Sequence, residues 1–264
     1  MRVLIISCLL SFSSIVSACD QPISISYAPF VSLLVVDRFF GGFHRELEAL
    51  TGCKVTYQIH RDFEHFLQAL FLREHTLAIT PGNYFKVLKP LNYEVVSTLT
   101  SERNRNFHVI ANSKSMISNL NELVGKKAFI VSPLSGSGSH FLAKLNELGL
   151  TNKVDIEYIN SYDAMILAII KGEGAAAVIV DEYWGVLDRH VREKSLKIIA
   201  QIETNTSTDF VILKEHAALA PQVRSSLQAS ELVWGEPNNQ ANGPELLESL
   251  LQSRFEVFKN KQGQ

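Results

Sequence analysis

The stretch "KKAFIVSPLSGSGSHFLAKLNELG", Lys126 to Gly149, decides the fold class of this chain. The run "KKAFIVS" predicts a buried strand, and the apolar spacing in "HFLAKLNELG" predicts a helix that ends at Gly149. The segment "SPLSGSGSH", Ser132 to His140, joins them with four serines and two glycines. A strand followed by a turn and a helix is the building unit of α/β proteins.

This junction has the composition of an anion-binding site. In open α/β sheets, ligands bind beyond the carboxyl ends of the strands, where the next helix begins. The first turn of a helix has free N–H groups and about half a positive charge. Glycine lets an oxyanion approach the backbone closely, and serine hydroxyls donate hydrogen bonds. The sequence therefore predicts an oxyanion cradle formed by Ser135, Gly136, Ser137, Gly138 and Ser139.

Two other interpretations of the same stretch stay open. It could be a serine-capped helix after a loop, although one serine would suffice for a cap. Alternatively, "GSGSHF" partly matches the dinucleotide fingerprint, with Asp155 or Glu157 near the distance of a ribose contact. That match fails at Phe141, which stands in place of the third glycine. A P-loop is excluded because no Gly-Lys-Ser/Thr follows.

Strand-like and helix-like segments alternate along the rest of the chain. This order predicts α/β lobes with mainly parallel central strands. The wholly apolar "AAAVIV" predicts a strand that is covered on both faces. We expect one helix over "DEYWGVLDRHV", and helical stripes over Leu227–Leu232 and Leu246–Phe258.

The composition is that of an ordered globular protein. The chain has 264 residues, a formal net charge of −2, 46% hydrophobic residues and 20% charged residues. These values exclude a disordered chain, and the near-neutral charge gives no support for nucleic-acid binding. We expect a protein without cofactor or metal.

The N-terminal segment "MRVLIISCLLSFSSIVSAC" predicts a secretory signal peptide over residues 1–18. Its end, "VSAC", resembles a bacterial lipobox, in which Cys19 would be lipidated and would anchor the chain to the membrane. Asp20 then resembles the signal for retention in the inner membrane. The alternative is ordinary cleavage, which would leave Cys19 free to form a disulfide with Cys53. The remaining cysteine, Cys8, would leave with the signal peptide.

Four segments, in order, resemble the PhnD-like phosphate, phosphite and phosphonate-binding proteins of ABC importers. They are "ISYAPF", "LAITPGNYFKVL", "NLNELVGKKAFIVSPLSGSGSHF" and "YINSYDAMILAIIKGEGAAAVIVDE", and the resemblance covers Ile23 to Trp234. It implies a type II periplasmic binding protein: two α/β lobes, two crossover hinge strands and a ligand cleft between the lobes. The first lobe would hold residues 20–103 and 206–264, and the second would hold residues 104–205.

The resemblance also implies ligand residues. The family's Ser-Thr-Ser cradle corresponds to Ser135, Gly136 and Ser137, so the middle hydroxyl is missing and Ser139 is a candidate to replace it. Two family aromatics correspond to Tyr27 and Tyr84. A family histidine becomes Tyr162. An acidic ammonium partner corresponds to Asp181 or Glu182, although either could instead cap a helix. These departures weaken the case for an aminoalkylphosphonate.

The resemblance implies an extracytoplasmic, monomeric, non-enzymatic solute-binding lipoprotein that passes a small oxyanion to an ABC permease. An alternative with the same fold is a ligand-sensing subunit for a membrane histidine kinase or receptor. An exported hydrolase is the third hypothesis. It lacks support because "SGSGS" is not a G-x-S-x-G elbow and no Ser–His–acid set follows from the spacing.

Overall fold

The computed structural model describes residues 21–29, 33–99, 105–204, 206–230, 233–237 and 243–262. The strands are β1 (Ile23–Tyr27), β2 (Val55–Ile59), β3 (Leu77–Pro81), β4 (Tyr93–Leu99), β5 (Arg105–Asn112), β6 (Lys127–Ile130), β7 (Asp155–Tyr158), β8 (Ala176–Val180), β9 (Leu196–Thr204), β10 (Thr208–Leu213) and β11 (Trp234–Gly235). The α-helices are α1 (Leu33–Thr51), α2 (Phe63–Phe71), α3 (Phe85–Leu88), α4 (Gly136–Glu147), α5 (Tyr162–Lys171), α6 (Asp181–Val186), α7 (Arg189–Ser195), α8 (Ala220–Leu227) and α9 (Glu245–Gln262). Short 3-10 turns lie at Gly82–Tyr84, Lys89–Leu91, Leu120–Leu123 and Lys214–Leu219.

These strands form two mixed sheets, which confirms the two-lobe α/β prediction. The first sheet has the order β11-β4-β10-β3-β1-β2, and the second has the order β7-β6-β8-β5-β9. β1 is parallel to β2 and β3, and β6 is parallel to β7 and β8. The strands next to the lobe crossings, β4, β5, β9 and β10, pair antiparallel. The chain passes between the sheets after β4 and again after β9; the residue-level lobe boundaries stay a prediction.

Each sheet has its own apolar core, and a third cluster joins the lobes. Phe43 and Phe210 are fully buried in the first lobe, and Phe141 is fully buried in the second. The third cluster runs from Tyr84 in the first lobe to Tyr162 in the second. Helix α9 joins this cluster and contacts both α3 and α4. The two lobes are therefore packed against each other, as in a closed cleft.

Helix α4 begins earlier than "HFLAKLNELG" predicts. It starts at Gly136, because Ser135 caps it by accepting a hydrogen bond from the Gly138 N–H. The cradle stretch is thus the first turn of the helix rather than a loop before it. The predicted C-terminal glycine is confirmed, since Gly149 follows the helix with φ +68°.

Two predicted helices were placed wrongly. "DEYWGVLDRHV" forms α6 and α7 instead of one helix, because Leu187 leaves the helical conformation, with ψ 141°, and Asp188 caps a new helix by accepting from the N–H groups of His190 and Val191. The helical stripe predicted over Leu227–Leu232 lies earlier, in α8, which ends at Leu227. Residues 228–230 form a turn after this helix, and residues 231 and 232 lie outside the described ones. The stripe over Leu246–Phe258 is confirmed by α9.

Substitution of Gly138 by alanine should destabilise the protein. A Cβ at Gly138 would lie 2.1 Å from the carbonyl oxygen of Ser132, whereas a Cβ at Gly136 would meet only the Phe107 ring at 3.4 Å. We expect a loss of about 1–3 kcal/mol in the free energy of unfolding for Gly138→Ala. Gly136→Ala, the matched control in the same turn, should change it much less. Urea unfolding of both ligand-free variants checks this, and equal losses would contradict the proposed close approach.

Candidate functional site

A cavity lies between the two lobes, beside the start of helix α4. Its volume is about 100 Å³. The first lobe contributes Tyr27, Val36, Phe39, Phe40, Phe63, Ile79, Thr80, Leu99 and Trp234 to its wall, and the second lobe contributes Phe107, Ser135, Gly136, Ser137, Tyr162, Glu182 and Tyr183. Thr206 and Ser207, at the second crossing, also line it. The cavity therefore lies at the interlobe position where the resemblance predicts a ligand.

Ser135 lines the cavity, but its hydroxyl is occupied by the helix itself. The oxygen accepts a hydrogen bond from the Gly138 N–H at 3.0 Å, and the hydroxyl donates to the Ser132 carbonyl at 2.7 Å. Ser135 is thus the N-cap residue that the helix-capping interpretation required. It fixes the direction in which the first N–H groups of α4 point.

Ser137 and Tyr162 meet at the cavity wall. Their hydroxyl oxygens are 3.1 Å apart, and the two side chains are 1% and 2% exposed. The Tyr162 ring lies 5.0 Å from that of Tyr183, whose hydroxyl donates to Asp163. Burial, and then the hydrogen bond to Asp163, raises the pKa of Tyr183. The structure therefore brings together two of the predicted ligand hydroxyls and holds the neighbouring phenol protonated.

Gly138 and Ser139 do not line the cavity. Gly138 packs against the Ser132 carbonyl, and the Ser139 hydroxyl donates to the Gly136 carbonyl at 3.0 Å. His140 also donates to that carbonyl, at 2.8 Å, and burial lowers the pKa of its imidazole. Ser139 is thus turned toward the helix backbone, away from the place of the missing middle hydroxyl.

Tyr27 presents its ring to the cavity, while its hydroxyl pairs with Nε2 of His44 at 2.8 Å. The imidazole of His44 stacks on Tyr57 with a centroid distance of 4.8 Å. Burial lowers the pKa of His44 to about 4. No pattern in the sequence singles out His44, although it lies one helical turn after Phe40, which lines the cavity.

Tyr84 is fully buried outside the cavity wall. Its hydroxyl donates to the carbonyl of Leu134 at 3.0 Å, and this bond joins the first lobe to the residue before the Ser135 cap. Burial raises the pKa of Tyr84 well above the ordinary tyrosine value. The contact links the two lobes directly behind the start of helix α4.

The two acidic candidates have different surroundings. Asp181 accepts from Nε2 of the buried His108 at 2.7 Å and does not line the cavity. Glu182, the next residue of α6, does line it. The N-cap position itself is Val180, so neither carboxylate caps this helix by a side-chain hydrogen bond.

Sequence reasoning missed three hydroxyl groups of the cavity wall. Thr80, Thr206 and Ser207 are 1%, 7% and 8% exposed, and within the described part of the chain their hydroxyls have no hydrogen-bond partner. An unsatisfied buried polar group costs about 1–3 kcal/mol. The position of Thr80 could have identified it, because it lies at the carboxyl end of β3, where ligands of α/β sheets bind.

The described residues that line the cavity include neither lysine nor arginine. In the ranges that the structure describes, no group of three or more His, Cys, Asp or Glu side chains is placed to hold a metal ion. Over those ranges, no helix is both long enough and apolar enough to cross a membrane.

A cavity between two α/β lobes, with hydroxyls and a helix N-terminus in its wall, is typical of two-lobe solute-binding proteins. The family model "ABC transporter, phosphonate, periplasmic substrate-binding protein" matches residues 25–262. The chain belongs to this family of periplasmic substrate-binding proteins, as the resemblance implied.

Solved structures show the same fold. PhnD1 from Prochlorococcus marinus in complex with methylphosphonate is 15% identical, with 90% of this chain and 98% of that chain covered and a TM-score of 0.68. A binding protein of an ABC phosphonate transporter from Pseudomonas aeruginosa is 16% identical, with coverages of 92% and 99% and a TM-score of 0.67. The aliphatic sulphonate binding protein SsuA from Escherichia coli is 14% identical, with coverages of 92% and 94% and a TM-score of 0.52. Among curated protein sequences, no relative matches at a significant level.

The low pKa of His44 should make the protein less stable in acid. Unfolding returns the pKa of His44 from about 4 to 6.5. Between pH 6.5 and pH 4 the imidazole is therefore protonated in the unfolded chain but neutral in the folded protein. The free energy of unfolding should therefore fall between pH 6.5 and pH 4, by on the order of 1 kcal/mol from this residue.

Urea unfolding across this pH range measures the effect. His44→Gln should reduce the slope of stability against pH, whereas His190→Gln, on the exposed part of α7, should leave it unchanged. An unaltered slope in His44→Gln would contradict the assignment.

Proposed function

We propose that the interlobe cavity of this protein binds a phosphonate-type oxyanion and that the protein delivers it to the permease of an ABC importer. One observation carries the proposal. Among the residues that the structure describes, the buried hydroxyls of Thr80, Thr206 and Ser207 have no hydrogen-bond partner, and they lie in the same cavity as the N-terminus of α4. A tetrahedral oxyanion supplies several acceptors at once, and so it would relieve the cost of these donors.

The helix supplies the other donors. The first N–H groups of an α-helix have no acceptor within the helix. In α4 the Gly138 N–H is capped by Ser135 and the Ser139 N–H bonds to the Ser135 carbonyl. Gly136 and Ser137 are therefore the first-turn residues whose N–H groups we assign to the ligand, assisted by the hydroxyls of Ser137 and Tyr162. The dipole of α4 favours an anion at this position.

Binding and closure of the lobes are coupled in this arrangement. Thr80 belongs to the first lobe, α4 to the second, and Ser207 to the connection between them. A ligand that bonds to all three stabilises the closed form only, and such differential contact is what shifts a hinge equilibrium. The bond from Tyr84 to the Leu134 carbonyl adds a lobe contact that must break on opening.

Family membership favours import over sensing, although a sensory subunit would use the same cavity. The two cradle serines that line the cavity do not support a hydrolase. The Ser137 hydroxyl pairs with a tyrosine, and the Ser135 hydroxyl with backbone groups, so neither has the adjacent base that activates a nucleophile.

Thr80→Val should separate ligand binding from stability. The substitution removes a buried hydroxyl that has no partner among the described residues, so the melting temperature without ligand should stay the same or rise. Affinity for methylphosphonate, measured by isothermal titration calorimetry, should fall by about tenfold or more.

Ser115→Ala is the matched control. It also removes a hydroxyl without a partner in the described ranges, but one outside the cavity, and it should leave the affinity unchanged. Full affinity in Thr80→Val would rule out the assigned donor. A lower melting temperature would show that its hydroxyl is already satisfied without ligand.

The lipid anchor concerns residues outside the described ones, and it stays a prediction. Cys53 is buried and disulfide-bonded. The chain has two other cysteines, Cys8 and Cys19, and cleavage before Cys19 would remove Cys8 with the signal peptide. A sulfur that carries the lipobox diacylglycerol cannot also form a disulfide. We therefore propose that the mature periplasmic protein has either a lipidated Cys19 or a Cys19–Cys53 disulfide, and the state of Cys53 favours the disulfide.

Mass spectrometry of the mature protein, expressed from its full reading frame in bacteria, distinguishes the two forms. The disulfide form should give one cross-linked peptide pair containing Cys19 and Cys53, no acyl mass, and release into the soluble periplasmic fraction. Cys53→Ser should then lower the melting temperature by several degrees. An acylated N-terminal peptide would establish the anchor instead and would exclude the disulfide.

A further inference from the structure

The side of the cavity formed by the first lobe is aromatic. We call the rings of Tyr27, Phe39, Phe40 and Trp234 the aromatic wall. The Tyr27 and Phe40 rings are 5.1 Å apart, and the Phe40 and Trp234 rings are 6.3 Å apart, both in tilted arrangements. All four side chains line the cavity, and they come from β1, α1 and β11. The polar donors of α4 belong to the other lobe.

The aromatic wall continues into aliphatic side chains. Val36, Leu99 and Ile79 also line the cavity on the first lobe. Apolar side chains around open space lose the dispersion contacts that close packing would give them. An apolar group that fills this space contributes a favourable binding free energy, which is proportional to the apolar area removed from water.

The cavity is larger than a small inorganic oxyanion needs. It offers about 100 Å³ to the centres of water-sized molecules, and about 10–15 Å³ of such space holds one water molecule. The groups assigned to the oxyanion are the start of α4 and the hydroxyls of Thr80, Thr206 and Ser207, whereas the aromatic wall presents rings to the cavity. The space along the aromatic wall would remain unfilled by phosphate or phosphite, and nearly so by methylphosphonate.

The charges at the cavity argue for an uncharged substituent. The described lining residues contain no lysine or arginine that would pair with a second anionic group. A substituent with an ammonium group would need a carboxylate partner, and Glu182 is the acidic residue among the described lining residues of the cavity. Glu182 belongs to α6 of the other lobe, and another group of the chain already interacts with it.

We infer that the ligand is an organophosphonate with a bulky, uncharged, apolar substituent, such as an aromatic ring. The phosphonate group binds the donors at the start of α4 and the hydroxyl of Thr80, and the substituent packs on the aromatic wall. This inference rests on the proposed function and names the substrate class of the same cavity.

Calorimetric titration of the mature protein with two probes tests the inference. Benzylphosphonate should bind at least about tenfold more tightly than methylphosphonate, because the ring buries additional apolar area. If methylphosphonate binds and benzylphosphonate binds no better, the inference is wrong and the proposed function stands. If neither phosphonate binds, the proposed function itself fails.

A pair of isosteres separates apolar from cationic recognition. 3,3-Dimethylbutylphosphonate and 2-(trimethylammonio)ethylphosphonate have nearly the same shape and differ in one positive charge. The neutral compound should bind more tightly if the wall selects an apolar group. Tighter binding of the cation would overturn the inference, since aromatic faces also attract cations.

Phe39→Leu locates the substituent on the wall. It should weaken benzylphosphonate about threefold to tenfold, through loss of ring–ring contact, and weaken methylphosphonate by a clearly smaller factor. Phe71→Leu is the matched control, because Phe71 is also buried but packs on Phe255 and Phe258 of α9, away from the cavity. Equal effects of the two substitutions, or equal losses for both probes in Phe39→Leu, would contradict the placement.

Discussion

The hydrogen bond from the Gly138 N–H to the Ser135 side chain fixes the start of helix α4, and the site depends on it. The cap determines which N–H groups remain for a ligand and where they point. The Ser132 carbonyl on one side and the Tyr84–Leu134 bond on the other hold this turn between the lobes. A displaced cap would move the donors of the cradle and the contact between the lobes together. The capping and anion-binding interpretations of this stretch are thus compatible, because the cap sets the direction of the N–H groups that would bind the anion.

Two features of the cavity raise the free energy of the closed form without ligand, and a single ligand could compensate for both. Within the described ranges, three buried hydroxyls of the cavity wall have no partner, and the aromatic wall borders unfilled space. Both features weaken the closed form without ligand, and both favour it once an amphiphilic anion is bound. A binding protein that must open again gains from this balance, since the closed state should predominate only when it is loaded. The described lining residues include no lysine or arginine. Neutral donors can bind an anion, and they leave no uncompensated charge in the cavity when the anion dissociates.

The sequence predicted more of the fold than of the site. Apolar patterns located the central strands and α1, α2, α4, α5 and α9, because their buried faces repeat with the period of the element. They failed where local capping outweighs periodicity, as at Asp188 between α6 and α7. In the site, Ser137 and Tyr162 were predicted and lie together, whereas Ser139 and Asp181 turn to partners within their own lobe. Thr80 and Ser207 were missed because a short hydroxyl side chain has no pattern of its own.

The sequence by itself determined the α/β class, the two-lobe family fold and the serine-rich helix start, since these depend on local propensity and on the order of segments. Only the tertiary structure decided which hydroxyls face the cavity and which form hydrogen bonds with the backbone. That choice depends on contacts between residues far apart in the chain, such as Tyr27 with His44 and Ser137 with Tyr162. The same reason applies to the aromatic wall. Nothing in the sequence distinguishes Phe40 and Trp234 from ordinary packing residues, and folding brings them side by side at the cavity.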